Sequence, residues 1–443
     1  MNPLIGDVNK NVYTGRYIVT FRQDAIQDGM RLLNNLTGVK NIPTTSDFIE
    51  GNWNIDQVKS AKGAVYEKLG VAVIEADEQQ MMQLQMANED EKTSIIAYEP
   101  ELMMHAIEDL NPIELNNGND ANIPLSYIKG CRDEIDSLYQ RLVSGDLNIS
   151  TTDQQVMEVY EDTSMETWGL QATNVNNSQY SGRGIRVAVL DTGFDFSHPD
   201  FRGRRIESQS FVSGETVQDV HGHGTHCIGT ACGARSNTGQ RYGVAYESEI
   251  YVGKVLGNSG NGDDMGVLAG IEWALSNNCH IISMSLGPAV PICTTTIAYE
   301  QVGQRALQQG GLIIAAAGNT ANRGRGNFSC VGRPANSKSI MAVAALNNRL
   351  QAASFSPRSG NNEGGEIDIA APGVRIFSSW TLPNRYKIID GTSMATPHVS
   401  GIAALFAEAY QARGYQLWQL LSSNARRLSL PNLDVGAGIV QAP

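Results

Sequence analysis

Cysteine is scarce in this 443-residue chain, and its few thiols are not arranged as a framework. Cys131, Cys227, Cys232, Cys279, Cys293 and Cys330 form no CxxC pair, which argues against both a disulfide scaffold and a zinc ribbon. Reduced thiols are the expectation, although Cys293 and Cys330 lie in loop-like sequence where a pair could form. Long apolar runs are also missing. None reaches the roughly 18 residues that a membrane span needs. Positive charge is in deficit, with 33 Lys+Arg against 46 Asp+Glu and a net charge of −13. Neither nucleic acid nor an anionic membrane is therefore an expected partner. Residues 108–163 hold twelve Asp/Glu against Lys129, Arg132 and Arg141, so −9 sits in this segment and −4 elsewhere. The N-terminus shows no basic stretch followed by an apolar one, which points to the cytoplasm unless the chain is a trimmed form of an exported protein. No internal repeat appears.

What is present divides into three stretches. Residues 1–107 read as a small α+β unit. "RYIVTFR" (Arg16–Arg22) alternates like a strand, "DAIQDGMRLLNNL" has helical spacing, and Ala64–Ala76 reads as one further strand. A helix over "DEQQMMQLQMANED", a final strand over "TSIIAYEPELMM" and a weaker strand near Thr44–Ile49 complete a βαββαβ, ferredoxin-like order. Residues 108–163 read as an acidic connector with one amphipathic helix, its apolar face formed by Ile128, Cys131, Ile135, Leu138 and Leu142. From 164 to 443, strands such as "GIRVAVLDTG", "EIYVGKVLG", "HIISMSLG", "GLIIAAAGN" and "SIMAVAALN" alternate with helices. That pattern predicts an α/β fold: a mostly parallel sheet with helices on both faces, in three layers. Ligands bind such sheets at the carboxyl ends of the strands.

Three motifs fall at those ends. "VAVLDTG" delivers Asp191, "HGHGTHC" carries three of the chain's seven histidines, and "DGTSMATPHVSG" starts a helix at Ser393. A serine hydroxyl needs a base to act as a nucleophile, and the base needs a carboxylate to orient it. A helix start aims N–H groups at an oxyanion near Ser393. "IIAAAGN" brings Asn319, whose amide can donate a second hydrogen bond to it. The competing reading is a zinc hydrolase built on His221, His223, His226 and Asp219. Against it, the glycines and Thr225 suit a tight turn into a helix, and no His-Glu-x-x-His is present. His226 then packs at the helix start.

The chain order Asp191, His223, Ser393, with no G-x-S-x-G elbow, separates this set from the chymotrypsin and α/β-hydrolase orders. With "VAVLDTG", "HGHGTH" and "GTSMATPHVSG" in that order, the stretch from Trp168 onward resembles the subtilisin-like serine proteases (subtilases, peptidase family S8). The resemblance implies a serine endopeptidase acting on proteins or peptides as a monomer, with no cofactor for catalysis. It implies Asp191 as orienting carboxylate, His223 as base, Ser393 as nucleophile and Asn319 as oxyanion donor. It places an extended substrate between Gly260, Asn261, Gly262 and Ser285, Leu286, Gly287. Ala316, Ala317 and Gly318 would line the pocket for the residue before the scissile bond, and His221 a wall of the next subsite. A structural calcium ion is implied at Asp200 and Asn237. Beside such a domain the N-terminal unit resembles an I9-type inhibitory propeptide, so the chain is expected to be a zymogen that cuts itself. "MMHAI" suggests cleavage after Ile107, with a site nearer Thr163 as the alternative.

Overall fold

The computed structural model describes residues 12–38, 42–45, 61–88, 93–107, 159–288, 293–360 and 365–443. The connector expected over 108–163 lies almost wholly outside these, as does its amphipathic helix.

Seven strands form the central sheet in the order β13-β12-β11-β9-β5-β7-β6, and every pair is parallel. They are β5 (Arg186–Asp191), β6 (Ile206–Ser210), β7 (Glu249–Lys254), β9 (Ile281–Met284), β11 (Leu312–Ala316), β12 (Met341–Leu346) and β13 (Ile369–Pro372). The middle strands are continuous apolar runs because helices cover both faces: Val187, Val189, Ile281, Ile313 and Val343 are all buried. Numbered in the order they are introduced, α1 (His223–Cys232) packs on α2 (Thr392–Tyr410), and α2 in turn covers β9, β11, β12 and β13. The close approach of α1 and α2 depends on Gly401, where a Cβ would lie 2.8 Å from the Ala231 carbonyl oxygen. Two further helices of this body bear on the site, α3 (Asp264–Ser276) and α4 (Ile297–Gln308). The three-layer α/β expectation holds. No helix among the described residues is long and apolar enough to cross a membrane.

A second sheet joins the N-terminal stretch to this body. β1 (Tyr13–Phe21) lies between β3 (Val71–Glu75) and β4 (Ile95–Ala106), and β2 (Gly63–Tyr66) pairs with β3, all antiparallel. Two helices, α5 (Ile26–Thr37) and α6 (Glu78–Asn88), complete the βαββαβ order. One expectation needs correction. Ala64–Ala76 is not one strand but two, β2 and β3, joined by a reversal at Gly70 (φ +59°). The turn is held by Glu272 of α3, whose carboxylate accepts from the Lys68 and Leu69 N–H groups, each at 3.1 Å. The weaker strand near Thr44–Ile49 is represented by a single bridge, Thr44 to Val65; 46–49 lie outside the described residues.

The far end of β4 leaves its own unit. Its last residues pair with β8 (Asn261–Asp263) on one side and β10 (Leu286–Gly287) on the other. The register sets His105 opposite Asn261 and Gly287, and Ala106 opposite Leu286. This is the structural fact that positions the site.

Candidate active site

Asp191 is the last residue of β5, where the apolar run ends and its carboxylate emerges over the sheet edge. Its Oδ1 lies 2.8 Å from Nδ1 of His223 and accepts the Thr192 N–H at 2.7 Å. Both side chains are buried. Burial alone would lower the pKa of the His223 imidazole, but the charge and hydrogen bond of Asp191, together with neighbouring Cys227, hold the ring well above the usual histidine value. Nε2 of His223 makes no hydrogen bond.

Ser393 sits in the first turn of α2, after Gly391 (φ +154°). Pro397 removes the helical donor that the Ser393 carbonyl would otherwise receive. That carbonyl instead accepts from Ser285 Oγ at 2.9 Å and Cys227 Sγ at 3.6 Å, which anchors the turn to β10 and α1. The free hydroxyl donates to the Ile107 carbonyl oxygen at 2.5 Å. Asn319 accepts from Thr392 N–H and Oγ1 with its Oδ1, each at 3.0 Å. Its buried Nδ2 has no partner. A Cβ built on Gly391 would meet Asn319 Nδ2 at 3.0 Å and the Ile107 oxygen at 3.3 Å, so hydroxyl, amide and carbonyl converge on one small space.

The two segments named from the sequence, Gly260–Gly262 and Ser285–Gly287, flank the end of β4. The Ala106 N–H donates to Gly260 O at 2.9 Å and the Ile107 N–H to Ser285 O at 3.2 Å. His105 Nδ1 lies 2.7 Å from Asn261 Oδ1. A recess beside Ile107 is lined by Gly287, Pro288, Ala317, Gly318, Gly332 and Arg333, and His221 stands at its rim. Ala316 is buried within β11 and does not line it, and Leu286 faces the core.

The three-histidine metal reading fails on donor chemistry. His226 Nε2 faces the Ile376 and Lys387 carbonyls at 3.1 and 3.2 Å, and burial drives its pKa down to about 3. Asp219 is committed to the turn, accepting from Thr192, His221, Gly222 and Thr225. Among the described residues the sole group with metal-ligand spacing is Asp191, His223 and Cys227, and there Asp191 Oδ1 and His223 Nδ1 are already engaged with each other at 2.8 Å.

The calcium expectation fits no better. Calcium takes six to eight oxygens. Here both carboxylate oxygens of Asp200 accept from Tyr386 Oη, at 3.1 and 3.0 Å, and Oδ2 also accepts from Tyr242 Oη at 2.9 Å. Asn237 offers its backbone N–H to Tyr386, and Arg235 takes the Gly239 carbonyl. Protons stand where lone pairs would be needed.

Cys293 and Cys330, whose pairing the sequence left open against a default of reduced thiols, are joined in a disulfide. Sequence reasoning missed other neighbours. Lys254, fully buried, donates to the Thr192 carbonyl at 2.6 Å and to Asn258 at 3.1 Å, linking the Asp191 turn to the loop before β8. Glu99 and Glu101 of β4 cap two helices of the body: Glu99 accepts from Ile297 and Ala298, and Glu101 from Met265. Their spacing of two, which puts both carboxylates on one face of a strand, was the available signal.

A model of the subtilase family (peptidase S8) matches residues 182–438. The chain is 37% identical over 362 residues to a thermostable alkaline protease of Halalkalibacterium halodurans, covering 80% of this chain and 92% of that one. It is 43% identical over 239 residues to a subtilisin of Bacillus pumilus, covering 53% and 81%. It is 38% identical over 308 residues to M-protease of Shouchella clausii, covering 67% and 76%.

Proposed function

The chain belongs to the subtilase family and is a serine endopeptidase, and from that premise we propose that it is made as a zymogen that cuts itself after Ile107. The observation that carries this reading is the Ile107 carbonyl, 2.5 Å from Ser393 Oγ, on a strand held from both sides.

In this mechanism Ser393 Oγ attacks the Ile107 carbonyl carbon while His223 Nε2 takes its proton. Asp191 holds Nδ1, fixing the tautomer and stabilising the imidazolium. The Asn319 amide and the N–H groups at the start of α2 receive the oxyanion. Collapse returns the proton from His223 to the departing amine of Glu108, leaving an acyl-enzyme on Ser393 that water hydrolyses by the same route. Gly260 and Ser285 bind the backbone of the substrate strand, so the same groove serves other protein substrates once β4 has left. Until then residues 12–107 act as inhibitor. No metal or cofactor takes part in this scheme.

Purified wild-type chain should yield a new N-terminus at Glu108, read by N-terminal sequencing, and the Ser393→Ala chain should stay full length. A wild-type chain that stays intact, resists organophosphorus labelling and cleaves no peptide would sink the proposal. A new N-terminus nearer Thr163 would keep the zymogen and move the site.

A further inference from the structure

The Cys293–Cys330 disulfide occupies a position with chemical consequences. Its Cα atoms are 5.6 Å apart across 37 residues of chain. Cys293 lies between β10 and α4, and Cys330 lies in the long loop between β11 and β12. Two walls of the recess beside Ile107 lie close by in sequence: Gly287 and Pro288 precede Cys293, and Gly332 and Arg333 follow Cys330. The walls come together closely at Gly287, where a Cβ would lie 2.9 Å from the Arg333 carbonyl oxygen and 3.1 Å from Ile107 Cδ1. The second wall is tied to the sheet through Gly332 N–H to Ala317 O at 2.9 Å. Its loop is otherwise irregular, with one short 3₁₀ turn at Arg323–Arg325. Arg333 is itself held by Asp264 of α3, Nη2 to Oδ2 at 3.0 Å, and Asn336 Nδ2 reaches the Thr294 carbonyl at 3.2 Å, alongside the disulfide. Cys293 is exposed, whereas the free thiols of Cys227, Cys232 and Cys279 are buried.

We propose that the Cys293–Cys330 disulfide is a specificity determinant: it fixes the separation of the two walls and so the size of side chain accepted before the scissile bond. The inference rests on reading this groove as the protease's substrate site. A dithiol opens the clasp in two exchange steps. Its thiolate attacks one cysteine sulfur and expels the other as a thiolate that takes up a proton. The second thiol then closes on the mixed disulfide, leaving two cysteine thiols and an oxidised dithiol.

The test uses the processed wild-type enzyme and two peptides that differ only in having Ala or Phe before the scissile bond. kcat/KM is measured before and after mild dithiol treatment, with alkylation and mass analysis confirming that Cys293 and Cys330 alone have opened. The Phe/Ala ratio is expected to change by about tenfold, the low end of what one methylene's fit in an apolar pocket commands. Hydrolysis of the Ala peptide should stay near its starting value, and reoxidation should restore the ratio. The Cys293→Ser/Cys330→Ser pair should reproduce the reduced enzyme; if it fails to fold, the wild-type reduction still decides. An unchanged ratio after complete opening, or a parallel loss on both peptides, overturns the proposal. Failure of the oxidised enzyme to cleave either peptide or to be labelled at Ser393 would instead count against the protease reading.

Discussion

The body and the N-terminal unit bury their sheets in different ways. The seven parallel strands of the body are covered on both faces by helices of the same stretch of chain, so their apolar burial is supplied from within the body. The N-terminal sheet covers only one face itself. Val19, Phe21, Val65, Ala72 and Ile74 pack with Leu33 and Leu84 of its own helices. The alternate residues Ile18, Ala64, Tyr66, Val71 and Val73 join the core of the body. Around that shared apolar face runs a set of charges: Arg16 bridges Glu101 and Asp263, Glu272 holds the turn at Lys68–Leu69, and Asp264 accepts the Leu102 N–H at 2.8 Å. Buried ions are costly unless paired, and each has a solvated alternative once the pair separates. The body is built to stay folded. The N-terminal unit buries the second face of its sheet only by docking on the body.

Substitutions can break that contrast, and the largest effect should fall on chemistry with both regions left standing. Asn319→Ala removes the unpartnered Nδ2 beside the Ile107 oxygen. Processing and peptide hydrolysis should slow by about 10²–10³-fold, a magnitude known from subtilisin itself, a relative of this chain. Single-turnover self-cleavage measures it, and a loss below threefold would remove Asn319 from the oxyanion site. The next effect should fall on the junction. Glu101→Ala in the Ser393→Ala background leaves Arg16 with Asp263 alone and strands the Met265 N–H, and an unsatisfied buried donor costs about 1–3 kcal/mol. Hydrogen exchange should then show β1–β4 losing protection while β5, β9 and β11 keep theirs. Equal losses in both regions would mean that the two are one cooperative unit.

How far this was legible in the sequence depends on the range of the interactions. Asp191 stands at a strand end, Asn319 just beyond one, and His223 and Ser393 at helix starts, each inside a short motif, so local pattern and chain order sufficed to nominate them. The parallel sheet was legible for the same reason, through apolar runs of strand length. What escaped was set by partners distant in sequence. The reversal at Gly70 is fixed by Glu272, some two hundred residues on, so Ala64–Ala76 read as one strand. Whether Cys293 and Cys330 pair was left open, because the disulfide needs two loops to meet. At Asp200 the spacing of a carboxylate was readable, but the phenols that fill the space around it were not.

A smaller effect should appear as pH dependence of the junction alone. Burial, reinforced by the neighbouring charge of Asp263, pushes the Glu101 carboxyl up from 4.5 to about 7. Burial also raises Glu99, Asp264 and Glu272, so the four act in one direction. A carboxyl raised in the docked state binds its proton more tightly there than in the detached one. Its contribution is complete below about pH 4.5 and is lost as pH rises through 7, a change on the order of a few kcal/mol. Full-length Ser393→Ala chain should therefore expose β1–β4 to an added protease more readily at pH 8 than at pH 5. Glu101→Gln should flatten that slope, and a slope of opposite sign would show that the ionised carboxylates dominate the docking.

The smallest effect sharpens the comparison from the side of the body, because the body should hold itself without help from an ion. Both oxygens of Asp200 accept from phenol hydroxyls, so the carboxylate is already satisfied without an ion. Thermal unfolding of the processed enzyme should keep its midpoint in excess chelator, with no return of a lost increment on adding calcium. Tyr242→Phe should cost about 1 kcal/mol, the ordinary worth of one hydrogen bond, since Tyr386 still donates to the carboxylate. If calcium raised the midpoint of the wild type, and more so of Tyr242→Phe, the phenol would be a competitor for an ion and the body would need it after all. A midpoint indifferent to both would leave apolar burial as what keeps the body standing after the N-terminal unit has gone.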